Sequence, residues 1–168
     1  MKTVLGLDRL DEMKSLFEGK HIGLITNYSG VDSGWNINVD LFMEKGLGVV
    51  KIFTPEHGMF GEGAGKPVGN DVYPGYGIPI ISLFGDHVRP GESDLDGIDI
   101  MVYDIQDVGL RYYTYIYTMT YCMEEAAKRN IPFVVLDRPN PLGNRIISGG
   151  TILPAFSSFI GDYELPVR

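Results

Sequence analysis

The sequence predicts an α/β fold in which a mostly parallel sheet carries helices on both faces. Five short runs are apolar and rich in β-branched residues, which is typical of strands buried on both faces. Segments with the apolar spacing of a helix separate several of these runs, as strand–helix–strand units require. Polar residues directly follow most of the runs, and an open α/β sheet binds ligands at such positions. Together these observations indicate an open α/β sheet with a ligand site at the carboxyl ends of its strands.

Length, composition and charge fit one globular domain. The chain has 168 residues, of which 44% are hydrophobic and 21% charged. That is enough for one ordinary core and too short for two. The formal net charge of −8 argues against a nucleic acid partner, because a phosphate-binding surface needs a basic excess.

The sequence also bears on location and redox state. No apolar run has the length of a membrane span, and the first residues do not form a signal-like apolar core. We therefore expect a cytoplasmic protein with no membrane partner. Cys122 is the single cysteine, which excludes an internal disulfide framework. It lies in an apolar helical pattern, which favours packing over catalysis.

The first half of the chain carries two helical patterns and two strands. Residues 10–18 predict a short amphipathic helix, and residues 21–26 predict a buried strand. Residues 35–45 predict a second helix, which Gly46 ends. The second strand is predicted at residues 49–54.

The second half begins with residues 58–77, which are rich in Gly, Pro and Asp and have no clear period. A loop of that length in a compact domain is usually functional or mobile. Strands are predicted at 79–84, 99–103 and 132–136, with a long helix at 111–128. The apolar stripe of this helix consists of Tyr112, Tyr115, Ile116, Met119, Cys122, Met123 and Ala126.

The second predicted strand ends in the motif on which the functional prediction depends. Pro55 lacks an N–H and biases Thr54 away from helix, so the strand stops there. Glu56 and His57, two side chains able to transfer protons, follow directly, and Gly58 lets the backbone turn. We therefore expect a Glu–His pair at the carboxyl end of a buried strand.

Other polar residues follow the remaining strands, and the carboxyl ends of parallel strands share one edge of the sheet. We therefore expect these residues to converge around the Glu–His pair, although turns between strands and helices are commonly polar for structural reasons. The residues concerned are Asn27, Asp86, His87, Asp104, Gln106, Asp107, Asp137, Arg138 and Asn140.

Acid–base hydrolysis of a glycosidic bond fits this set best. Such a reaction needs a carboxylic acid near the leaving oxygen and a second group at the anomeric carbon. Glu56 is the candidate acid, Asp104 or Asp107 is its candidate partner, and His57 completes the predicted catalytic set. An N-acetylated sugar can instead supply its own nucleophile, so the identity of the nucleophile stays open.

Nucleotide-binding motifs fail at specific positions. A dinucleotide fingerprint that starts at Gly61 would need a third glycine where Lys66 stands. A phosphate loop that ends at Lys66 would need glycine at Phe60 and Ser or Thr at Pro67. We therefore predict no cofactor.

Metal binding is the main chemical alternative. No pair of possible ligands has a recognised spacing, so we predict no metal, but a metal-dependent hydrolase that uses His57 and strand-end aspartates stays open. The possible ligands are His57, His87, Asp71, Asp104 and Asp107.

Residues 111–117 form an unusually aromatic run beside a basic residue. Tyr112 and Tyr115 fall on the apolar stripe and are expected in the core, whereas rings that face the sheet edge can stack on a sugar. Arg111 and Arg138 can each hold an anionic group through two hydrogen bonds or pair with a neighbouring carboxylate. The predicted substrate-binding residues are Asn27, Gln106, Arg111, Tyr112, Tyr113, Asp137, Arg138 and Asn140.

These motifs resemble those of the NamZ-type exo-β-N-acetylmuramidases, a glycoside hydrolase family long known only as a domain of unknown function. The resemblance rests on Pro-Glu-His-Gly at 55–58, the run at 104–115 and Leu-Asp-Arg-Pro-Asn-Pro at 136–141. Residues 23–27 and 158–161 also match the family pattern. The resemblance covers essentially the whole chain.

The resemblance implies a Rossmann-like catalytic domain that removes N-acetylmuramic acid from the non-reducing end of peptidoglycan fragments. It implies that Glu56, in the Pro-Glu-His-Gly motif, is the catalytic residue. It also implies a second, C-terminal domain that helps to form the cleft and that we expect to be absent from residues 1–168. An enzyme that is not exported would act on recycled wall fragments. A non-catalytic module that binds muramyl sugars is the alternative from another functional class.

Overall fold

A computed structural model describes residues 3–61, 71–143, 145 and 147–165. Six strands and three helices make up the regular structure of these residues. The strands are β1 (His21–Thr26), β2 (Gly48–Thr54), β3 (Asp71–Tyr73), β4 (Ile78–Ser82), β5 (Ile100–Asp104) and β6 (Phe133–Val135). The helices are α1 (Lys14–Phe17), α2 (Asn38–Glu44) and α3 (Tyr115–Lys128). Short 3₁₀ turns lie at Leu7–Arg9 and Pro154–Phe156.

The six strands form one sheet in the order β3-β4-β2-β1-β5-β6. All neighbouring strands are parallel except β3, which runs antiparallel to β4 at the edge. The predicted α/β fold with a mostly parallel sheet is therefore confirmed. The chain builds outward from β1 through β2 and then returns to place β5 on the other side of β1. The carboxyl ends of β1 and its neighbours β2 and β5 thus form a topological switch point, where open α/β sheets bind ligands.

Helices cover both faces of the sheet. On one face, the rings of Phe17 from α1 and Phe42 from α2 pack 5.7 Å apart over the strands. On the other face, α3 packs its buried Cys122 and Ala126 against a cluster that includes Phe53 of β2. Cys122 is fully buried, and burial raises the pKa of its thiol well above its usual range. This environment suits the packing role predicted for Cys122.

The predicted helices begin too early in the sequence. Residues 32–36 form a turn instead of the start of α2, because the Asp32 carboxylate accepts hydrogen bonds from the backbone N–H groups of Gly34 and Asn36. Trp35 in this turn has a φ of 68° and is 83% exposed. α3 begins at Tyr115, so Tyr112 precedes the helix and is 63% exposed. Its predicted place on the buried stripe is wrong.

Strand β3 was not predicted. It consists of three residues within the segment predicted as a loop, and its pairing with β4 aligns Val72 with Pro79. Residues 62–70 lie outside the described part of the chain and include most of the glycine-rich stretch. No helix of the described residues is long and apolar enough to cross a bilayer.

Candidate active site

The loop after β2 places Glu56 in a tight turn at the carboxyl edge of the sheet. The Gly58 N–H donates a hydrogen bond to the carbonyl oxygen of Pro55 over 3.0 Å. His57 has a φ of 74°, in the left-handed region that a side chain disfavours, and Gly58 follows with a φ of 69°. Backbone strain of this kind clusters at functional sites, where the surrounding structure maintains it.

Glu56 is half-buried and has a hydrogen-bond donor from a distant part of the chain. The Thr114 hydroxyl donates to the Glu56 carboxylate, with Oγ1 and Oε2 3.1 Å apart. The carboxylate borders a small, mainly apolar pocket. The apolar and aromatic residues of this pocket are Leu83, Phe84, Val88, Tyr117, Tyr121 and Phe159. Glu56 is therefore held against the start of α3, beside a pocket of about 10 Å³ that has room for roughly one water molecule.

Aromatic residues surround this carboxylate. The hydroxyl oxygens of Tyr28 and Tyr115 lie 3.5 Å apart, and the Tyr113 ring meets the Tyr115 ring edge-on at 5.4 Å. Burial raises the pKa of Tyr115 well above its usual range, and the nearby Tyr28 and the charge of Glu56 raise it further. Tyr28 and Tyr113 are 53% and 37% exposed. Tyr28 and Tyr113 thus present exposed rings beside Tyr115, which itself lies close enough to feel the charge of Glu56.

Asp104 lies at the end of β5 in a buried ion pair. Its side chain is fully buried, and its Oδ1 accepts a hydrogen bond from Nε of Arg138 over 2.7 Å. Its Oδ2 accepts a second bond from Nδ2 of Asn38, also over 2.7 Å. Burial raises the pKa of Asp104, whereas the bonds from Arg138 and Asn38 oppose that shift. With both oxygens engaged, Asp104 fits a positioning role better than the catalytic role predicted from the sequence.

Arg138 has one nitrogen without a partner. Its side chain is only 5% exposed, yet Nη2 is buried and lacks a hydrogen bond within the described part of the chain. Arg138 also lines a cavity of about 620 Å³ beside β6 and α3. Because Nη2 is enclosed by protein atoms, a ligand in the cavity can reach only other atoms of Arg138.

Half of the predicted substrate-binding residues line this larger cavity, together with Asp107. Its walls combine polar groups from the loops after β5 and β6 with apolar side chains from α3 and the sheet. The polar members are Asp107, Arg111, Asp137, Arg138 and Asn140, and the apolar members include Ile105, Ile116, Met119 and Val135. The Arg111 guanidinium also donates to the carbonyl oxygens of Gly150 and Leu165.

The loops after β1, β5 and β6 are tied together by hydrogen bonds. The Ser29 hydroxyl donates to Oδ1 of the buried Asn27 over 2.6 Å and accepts a bond from the Gln106 N–H over 3.0 Å. The Gln106 side-chain amide donates to the carbonyl oxygens of Asp107 and Pro139. Asn27 and Gln106, predicted to bind substrate, thus join separate loops in this structure.

Tyr117 connects the two cavities. Its ring borders the Glu56 pocket, and its hydroxyl donates to the carbonyl oxygen of Arg111 over 2.6 Å. Arg111 in turn lines the larger cavity. Tyr117 therefore links the Glu56 pocket to the cavity formed by the loops after β5 and β6.

The histidine after the third predicted strand forms a separate, exposed ion pair. His87 follows β4 and pairs with Asp94, with Nε2 and Oδ2 2.8 Å apart at an exposed position. Asp71 is the first residue of β3 and is exposed.

Within residues 3–61, 71–143, 145 and 147–165, no group of three or more His, Cys, Asp or Glu side chains is placed to hold a metal ion.

Three residues of this region were not predicted from the sequence. Ser29 and Tyr28 lie directly after Asn27, where a polar and aromatic turn carries no specific signal. Thr114 lies inside the aromatic run, and its only local signal is its position just before the helix, where Thr is a common N-terminal capping residue.

Known proteins share this sequence and fold. Residues 22–168 match the family model described as exo-β-N-acetylmuramidase NamZ, N-terminal. The chain is 44% identical over 170 residues to the peptidoglycan β-N-acetylmuramidase NamZ of Bacillus subtilis, covering 99% of this chain and 41% of the relative.

Two crystal structures of DUF1343 family proteins from Bacteroides fragilis also resemble the chain. One has a TM-score of 0.89 at 38% identity and covers 98% of this chain and 42% of the other. The second has a TM-score of 0.84 at 30% identity and covers 99% and 43%. The chain thus spans about two fifths of the length of these relatives.

Proposed function

Because this chain belongs to the NamZ N-terminal family, we propose that it forms the catalytic part of a glycoside hydrolase. Its substrate is a peptidoglycan fragment, from which it removes N-acetylmuramic acid at the non-reducing end. The observation that carries this proposal is the position of Glu56. Glu56 lies two residues after a buried strand, beside the switch point of the sheet, and is half-buried and hydrogen-bonded by Thr114. General acids of glycosidases need such a partly enclosed and oriented carboxyl group.

In the proposed reaction Glu56 is the general acid. It donates its proton to the glycosidic oxygen while the bond between that oxygen and the anomeric carbon breaks. The acetamido oxygen of the muramyl residue forms the new bond to the anomeric carbon, as in substrate-assisted glycosidases. Water then opens this cyclic intermediate and releases the sugar, with Glu56 taking the proton of the water. His57 and Asp107 are the remaining candidates for orienting that water.

The lactyl carboxylate of N-acetylmuramic acid distinguishes this sugar from neutral hexosamines, and the larger cavity offers it two cations. Arg111 and Arg138 both line the cavity, in a protein whose formal net charge is −8. Arg138 lines the cavity and is held in a fixed position by its bond to Asp104, so we assign the carboxylate to this side chain. The exposed rings of Tyr28 and Tyr113 provide stacking surfaces for the sugar.

The substitution Arg138→Lys tests this assignment. We expect the dissociation constant of N-acetylmuramic acid to rise about 10-fold or more, because lysine loses the fork geometry that holds a carboxylate through two bonds. Isothermal titration calorimetry with the full-length protein measures it. N-acetylglucosamine, which lacks the lactyl group, is the internal control, and its affinity should not change. Equal losses for both sugars would contradict the assignment.

The proposed activity itself is tested by incubating the full-length gene product with a muramyl disaccharide and measuring free N-acetylmuramic acid. We expect release from the non-reducing end, unaffected by a chelator. Loss of activity with chelator, restored by added metal, would favour the metal-dependent alternative. Tight binding of the disaccharide without any turnover would favour a binding module. Either result would contradict the proposal.

A further inference from the structure

Thr114 occupies the N-terminal capping position of α3 but does not cap the helix. At this position a Thr hydroxyl usually accepts a hydrogen bond from a backbone N–H of the first turn. In α3 no side-chain capping bond forms, although the helix is 14 residues long. The hydroxyl instead donates a hydrogen bond to Oε2 of Glu56, which lies 58 residues earlier in the chain. A residue type suited to capping is thus used for a different contact.

The backbone around Thr114 holds this hydroxyl in place. Thr114 is only 8% exposed. Its carbonyl oxygen accepts bonds from the N–H groups of Tyr117 and Thr118, each over 3.1 Å. The side chain therefore projects from the fixed first turn of a helix, and elements of this kind position functional groups more accurately than free loops do.

We propose that Thr114 is a positioning residue for Glu56, an inference that rests on the proposed function. A protonated carboxyl group carries its proton on one oxygen and has a carbonyl-type acceptor in the other. Since Thr114 donates to Oε2, that oxygen acts as the acceptor and the transferable proton stays on Oε1. The hydroxyl thereby fixes both the rotation of the carboxyl group and the oxygen from which the proton leaves.

The test compares Thr114→Val, which removes only the hydroxyl, with Thr114→Ser, which retains it. Assays use the full-length protein and a muramyl disaccharide. We expect Thr114→Val to lower kcat about 10- to 100-fold with little change in KM, because a small misplacement of a catalytic group has an effect of this size. Thr114→Ser should restore most of the wild-type rate.

Thr120→Val is the matched control, because the Thr120 hydroxyl bonds the carbonyl oxygen of Tyr117 on the same helix. Its kcat should equal that of the wild type, and both valine variants should unfold at similar temperatures. A normal kcat in Thr114→Val would overturn the inference. So would a low kcat that Thr114→Ser does not restore. If Glu56→Gln is inactive and Thr114→Val has a normal kcat, only the role of Thr114 is refuted. If Glu56→Gln is active, the proposed function is refuted.

Discussion

Turnover of a muramyl disaccharide by the Glu56→Gln variant is expected to fall about 10²- to 10⁴-fold, the usual contribution of a general acid. Glutamine has the same shape, and its amide oxygen can still accept the bond from Thr114, so the local packing is preserved. What the variant loses is the transferable proton. The measurement is kcat of the full-length protein, with binding of the uncleaved substrate retained.

A change of leaving group makes this test specific for acid catalysis. An aryl muramide with a nitrophenolate leaving group needs little protonation, so Glu56→Gln should lose much less activity on it than on the disaccharide. Glu92→Gln is the matched control, since Glu92 is an exposed carboxylate. Wild-type turnover of the disaccharide by Glu56→Gln would remove Glu56 from the mechanism.

The second large effect is on stability. We expect Asp104→Asn to lower the free energy of unfolding by about 3–5 kcal/mol, because it leaves the buried guanidinium of Arg138 without its counter-charge. The side chains of Asp104 and Arg138 are 0% and 5% exposed, so water cannot take over the lost interaction. Denaturant unfolding of the full-length protein, followed by fluorescence, measures the change.

Two further variants show whether the loss of stability comes from burial of the Asp104–Arg138 pair or from its charges. Glu12→Gln breaks the exposed pair of Glu12 with Arg9 and should leave the denaturant midpoint of unfolding essentially unchanged. The double variant Asp104→Leu with Arg138→Met replaces both buried charges by apolar groups and should recover much of the loss. If Asp104→Asn were as stable as the wild type, the ion pair would not have the structural role that its geometry indicates.

The sequence predicted the central strands because burial on both faces leaves a continuous apolar run. β1 was predicted with its observed bounds, His21–Thr26. β3 was missed because three residues at an antiparallel edge, with one buried side chain, carry too little pattern. The start of α2 was misplaced because the Asp32 side chain stabilises a turn where the apolar spacing alone indicated a helix.

The position of Glu56 was predictable because a proline has a definite effect on the backbone. Pro55 ends β2 and therefore locates Glu56 at the sheet edge. The pairing of Asp104 with Arg138 was not predictable, because it depends on β5 and β6 being neighbours and on which side chains turn inward. The contact of Thr114 with Glu56 depends likewise on how α3 crosses the end of β2.

A crystal structure of full-length Glu56→Gln with an uncleaved muramyl disaccharide tests the central claim most directly. We expect the glycosidic oxygen about 3 Å from the side-chain amide of residue 56, with Thr114 still bonded to that side chain and the lactyl carboxylate on Arg138. A disaccharide bound away from the carboxyl edge of the sheet, with residue 56 touching only solvent, would contradict it.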